Sequence, residues 1–114
     1  MRLVKDPAIL RQVETIVPRA ARTLGIRDFT RVDGRLDDRG VLRIFDVNGM
    51  PSLDYPHTVT LRQLMTVWDG MDERLALDRL VASVVASAAE RYGFDVPRTV
   101  AAQALGGSNL HMTA

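Results

Sequence analysis

The chain has 114 residues and no cysteine, and its 15 Lys plus Arg against 14 Asp plus Glu give a net charge of +1; 46% of it is apolar and 25% charged. That composition excludes a disordered chain, a disulfide scaffold and a zinc site built on thiolates. So small a net charge argues against duplex DNA or an anionic membrane as the main partner.

The expected organisation is a single domain over residues 1–105 and a flexible tail, 106–114. No apolar run approaches the ~20 residues of a membrane span. The opening residues are too short in their apolar part for a signal peptide. The expectation is a cytoplasmic protein with neither nucleic acid nor membrane as partner.

Asp6 followed by Pro7 is a helix start, an N-cap with proline in the first turn. Ile9, Val13, Ile16, Val17, Ala20 and Leu24 recur at helical spacing, with Arg11, Gln12, Thr15, Arg19 and Arg22 on the other face. Pro18 should kink this helix or cost it one hydrogen bond, and Gly25 ends it. The period then changes. Residues 29–36 alternate, Asp37-Asp38-Arg39-Gly40 is a turn signal, and residues 41–47 read as a second strand, which makes an antiparallel hairpin.

Residues 48–59 are a loop rich in Gly, Pro, Asn and Ser. Thr60 with Gln63 is a capping box, and Leu61, Leu64, Met65 and Trp68 stripe a short helix that Asp69-Gly70 stops. Asp72 caps the next helix. Leu77, Leu80, Val81, Val84, Val85, Ala88 and Tyr92 line one side of it, and Gly93 closes it. Asp95 and Pro97 start a last short helix, ended by Gly106-Gly107. The expected fold class is α+β, a small antiparallel hairpin sheet packed with helices. A two-stranded hairpin is marginal alone, so either helices cover it or the sheet continues in strands this chain lacks.

The hairpin carries the residues with chemistry. Asp46 and Asn48 are two apart and leave the same side of their strand. If the hairpin turns at Asp38-Arg39, Asp33 pairs near Ile44, one step from Asp46. Two carboxylates and one amide oxygen then converge. These are hard ligands, suited to Mg²⁺ or Mn²⁺, and magnesium with few protein ligands completes its shell from water and substrate phosphates. Arg31 and Arg35 continue the face of Asp33 and can stabilise charge that develops in phosphoryl or acyl transfer. The same alternation of Arg and Asp also fits a cross-strand ion-pair ladder. Asp46 sits among apolar residues, where an unpaired carboxylate is costly; a cation, Arg31 or Arg43 would compensate it. His57 and His111 read as exposed, and Trp68 as core or a covering face.

The stretch TLGIRDFTRVDGRLDDRGVLRIFDVNGMPSLD resembles the C-terminal end of an ATP-grasp ligase, closest to the D-alanine–D-alanine ligase branch. The resemblance covers roughly residues 7–54, and the later helices more loosely. It implies that Asp33, Asp46 and Asn48 are the metal ligands, holding Mg²⁺ (or Mn²⁺) that bridges the phosphates of ATP. It also implies that Arg31 is the arginine at the reacting intermediate. Asp46 stands where glutamate is usual, as in the inositol-phosphate kinase branch of the superfamily. Gly34 replaces a bulkier residue. Ser52 stands where the dipeptide ligases place the glycine that meets the acceptor, which makes it the substrate-binding candidate.

The chain has no glycine-rich loop, and its single lysine, Lys5, has no counterpart in the family. The first function expected is therefore a fragment or remnant of an ATP-grasp carboxylate–amine ligase. Such a piece works as part of a larger enzyme or as one half of a split one, with a partner chain supplying the other lobe. The alternative is a non-catalytic interaction module able to pair as a homodimer, favoured by an open hairpin edge.

Overall fold

Asp6 opens helix α1 (Pro7–Thr23) in the computed structural model, which describes residues 2–68, 70–104 and 112–113. Its carboxylate accepts the Ala8 N–H at 2.8 Å. The helix runs through Pro18 unbroken. Pro18 is exposed, so its ring meets solvent, and the cost is the one bond its missing N–H cannot give. At the other end Gly25 takes φ +68°, its N–H reaching Arg22 O and the Ile26 N–H reaching Ala21 O. That pair of bonds is a Schellman motif and satisfies carbonyls the helix leaves open.

Strands β1 (Arg31–Leu36) and β2 (Leu42–Asn48) form the antiparallel hairpin. They are shorter or later than the expected 29–36 and 41–47 by a residue or two. The turn is built by Asp37. Its Oδ1 accepts the N–H groups of Arg39 and Val41 at 3.0 and 2.9 Å, and Gly40 supplies the positive φ. The register shifts between Asp33 and Gly34, so Phe45 is an extra residue on β2: Gly34 faces Ile44, but Asp33 faces Asp46. This is a β-bulge. Gly34 is required beside it, because a Cβ there would lie 2.9 Å from the Arg43 carbonyl oxygen.

By contact the chain divides into two compact units, Met1–Ser52 and Leu53–Ala114, where the sequence reading has one domain over 1–105. In the first unit α1 lies along one face of the hairpin. Ile9, Val13 and Val17 share a cleft of about 310 Å³ with Val32, Leu36, Leu42 and Ile44. Gln12, expected on the polar face, fastens the two elements. Its amide donates to Gly40 O at 2.9 Å and accepts the Leu42 N–H at 2.8 Å.

The second unit holds α2 (Val59–Val67), α3 (Glu73–Tyr92), β3 (Val96–Pro97), α4 (Arg98–Gln103) and β4 (Met112–Thr113). The N-cap of α2 is Thr58, which accepts the Leu61 N–H at 3.1 Å; the expected capping box at Thr60 is corrected, since Thr60 is buried within the helix. Asp72 caps α3 as expected, and Gly93 closes it at φ +73°. The buried stripe of α3 is Ala76, Leu80, Ala82 and Ala86, and with Val96, Ala101 and Ala104 it makes much of the core. Val81, Val85 and Tyr92, expected on the packed side, are exposed. Alanines win the interface because only short side chains let α4 approach closely.

The last helix starts at Arg98 rather than at Asp95, and Pro97 is its N-cap. The stops at Asp69 and Gly106-Gly107, His111 and all but two residues of the expected tail lie outside the described residues. Of that tail, the backbone of residues 112–113 pairs in parallel with 96–97.

A polar face on the hairpin as the candidate metal and phosphate site

The bulge decides where the candidate residues point. Without it, continued alternation along β2 turns Asp46 and Asn48 to the side of Ile44, toward α1. The extra residue reverses the phase: Val47 joins Ile44 against α1, while Asp46 and Asn48 join the opposite face. Phe45 absorbs the irregularity and stays 69% exposed. The expected pairing of Asp33 near Ile44 is thus corrected. Asp33 lies directly across from Asp46, and Arg31 directly across from Asn48. All four side chains leave one face of the ribbon, as do Arg35 and Arg43.

Directly opposed residues have Cβ atoms about 5 Å apart. Two carboxylates at that spacing repel each other, and the fold offsets this with Arg31. Its guanidinium forks onto Asp33, with Nη2 at 3.0 Å from Oδ2 and Nε at 3.2 Å from both oxygens. Arg31 and Asp33 are both half-buried, which strengthens this short charge-assisted contact. Asp46 is exposed, and no side chain among the described residues hydrogen-bonds to it. The compensation expected from Arg43 does not reach it, because Arg43 Nε binds Asp37 Oδ2 at 2.9 Å. Asn48 Oδ1 accepts the Met50 N–H at 3.0 Å, shaping the exit from β2, and Thr30 Oγ1 donates to the Asn48 carbonyl at 2.8 Å.

The donor set fits a small hard cation. Asp46 is open, Asp33 keeps lone pairs beyond those used by Arg31, and the amide of Asn48 lies on the same side two residues on. Among the described residues no group of three or more His, Cys, Asp or Glu gathers in space. A cation here would therefore hold few protein ligands and take the rest from water or phosphate, the usual habit of magnesium. Arg31 and Arg35 on the same face suit the anionic groups such an ion brings with it.

Ser52 is exposed and is the last residue of the first unit. His57 belongs to the second unit. Its backbone N–H binds Glu73 Oε1, and its ring Nδ1 lies 3.6 Å from Oε2, so it ties its loop to the start of α3. Trp68 is half-buried with the Arg79 guanidinium 5.0 Å over its ring. The residue that sequence reasoning missed is Gln12. Among Arg11, Thr15 and Arg19 its polarity reads as solvent exposure, and only the hairpin's backbone reveals its partners.

No protein-family model, characterised protein or solved structure matches the chain. Among the described residues no helix is long and apolar enough to cross a membrane.

Proposed function

We propose that the first unit is the magnesium- and phosphate-binding segment of an ATP-grasp-type carboxylate–amine ligase, similar to the D-alanine–D-alanine ligases. What supports the reading is the register: Asp33 opposite Asp46 and Arg31 opposite Asn48, four side chains on one face. In this role Asp33, Asp46 and Asn48 hold Mg²⁺ or Mn²⁺ against the phosphates of ATP. Arg31 neutralises charge on the group being transferred, and Ser52 lies toward the acceptor. Catalysis of this kind needs reactants clamped from both sides. The nucleotide-gripping lobe is accordingly supplied from outside the 114 residues, by further chain or by a partner. A cytoplasmic setting, where ATP and magnesium are at hand, fits this role.

Manganese tests the assignment, because it replaces magnesium and broadens NMR signals near it. With ADP present, Mn²⁺ is expected to broaden the amides of Asp33, Asp46 and Asn48 first. Asp46→Asn should abolish the effect while leaving the fold intact, since that side chain is exposed. In the absence of metal the same substitution should be neutral or slightly stabilising, because it removes a like-charge opposition. Broadening spread evenly over Asp54, Asp72 and Asp95, or none at all, would sink the reading.

A further inference from the structure

The two outer edges of the hairpin are not equivalent. Gln12 covers part of the β2 edge by taking the Leu42 N–H and the Gly40 carbonyl. Because Leu42 gives its N–H to Gln12, the Leu36–Leu42 pair is a non-hydrogen-bonded one. Alternation along β1 then turns the N–H and C=O groups of Val32, Gly34 and Leu36 to its outer edge. The sheet has two strands, and Gly34, Arg35 and Leu36 are exposed. An open row of donors and acceptors of this kind is a template for another strand.

We infer that the strand it takes is β1 of a second copy of this chain, paired antiparallel about a two-fold axis at Gly34. The charges along β1 and into the turn select that partner and that register. With Gly34 opposite its own copy, Asp33 faces Arg35 of the second copy, Arg35 faces its Asp33, and Arg31 faces its Asp37. On the other face Val32 meets Leu36. The outward groups of Val32, Gly34 and Leu36 then bond reciprocally. Centring the axis one residue away, at Asp33, sets Asp33 against Asp33 and Arg31 against Arg35, like against like. That register still lets Val32 and Gly34 bond across the axis, so it is charge that disfavours it. The product is a four-stranded sheet in the order β2–β1–β1–β2, which relieves a two-stranded ribbon that is marginal alone. Both polar faces lie on its same side.

This inference stands apart from metal binding, and its test uses the full chain without divalent cations. Sedimentation or light scattering over a concentration series should give wild-type chain at twice 12.6 kDa. Hydrogen exchange should find the amides of Val32, Gly34 and Leu36 slowed as concentration rises. Arg35→Asp sets acid against acid and should run at the monomer mass, as should Asp33→Arg, which sets base against base. An equimolar mixture of these two variants has every opposed pair complementary and should return to the dimer mass. Circular dichroism of each variant separates a lost interface from a lost fold. A wild-type monomer throughout, an Arg35→Asp dimer, or a mixture of folded variants that stays monomeric would each overturn the proposal.

Discussion

Asp37 is the residue on which the hairpin turn depends. One carboxylate oxygen holds two backbone N–H groups and the other holds Arg43. The Val41 N–H, then the Arg43 guanidinium, keep its carboxyl below the ordinary carboxylate range, against a smaller opposing effect of desolvation. A depressed folded value means stability that is fully present above the unfolded value and is lost as the pH falls through the folded one. Asp37→Asn is therefore expected to lower Tm at neutral pH. The gap between variant and wild type should close as the pH drops below about 4. Thermal melts of the two proteins across pH 2 to 7 check this, and a gap constant over that range would mean the charge contributes nothing.

At the scale of elements, what is legible in the sequence is what local chemistry decides. Asp6-Pro7, Gly25, Asp72 and Gly93 set their helix ends through bonds within a few residues, and each stands where its residue type implies. Asp37 to Gly40 makes the turn for the same reason. The misreadings of packing depend on a neighbour elsewhere in the fold. The α2 cap is not one of them: Thr58 reaches the Leu61 N–H three residues on, so the expected start at Thr60 is a local offset of two residues. The larger aliphatics of α3 suggest a packing face that close approach of α4 gives to alanine instead. Gln12 belongs here too: its partners are 28 and 30 residues away. Gln12→Ala leaves the Leu42 N–H and the Gly40 carbonyl without their partner. It should cost about 1–2 kcal/mol in urea unfolding and speed exchange of the Leu42 amide. An unchanged Leu42 exchange rate would deny the bridge in solution. In the candidate site, the identity of the polar residues could be read directly, but their facing could not, because it rests on one inserted position in β2.

At the scale of the whole molecule, the two units differ in how they are held together. Apart from Pro51, every buried residue among those described lies in the second unit. Helix α1 buries none. Burial of apolar side chains is the main source of stability, so opening free energy should be unevenly distributed. Native-state hydrogen exchange is expected to find the slowest amides in α3, around Leu80 to Ala86. Those of α1 and the hairpin should exchange at lower denaturant. Equal protection in both units would mean that the first acquires its stability from an association, and dilution would then remove it.

Phe45 gives the chemistry of β2 a parity. Loops absorb an irregularity at little cost, but here drawing Phe45 into the regular ladder, with the bulge closed, would invert every later side chain of the strand. Two acceptors would be driven against the aliphatic flank of α1, and Val47 would be turned to water. The composition would be unchanged, yet the coordinating geometry would be erased, whereas deleting Phe45 outright would straighten the ribbon and leave Asp46 and Asn48 on the side they now hold.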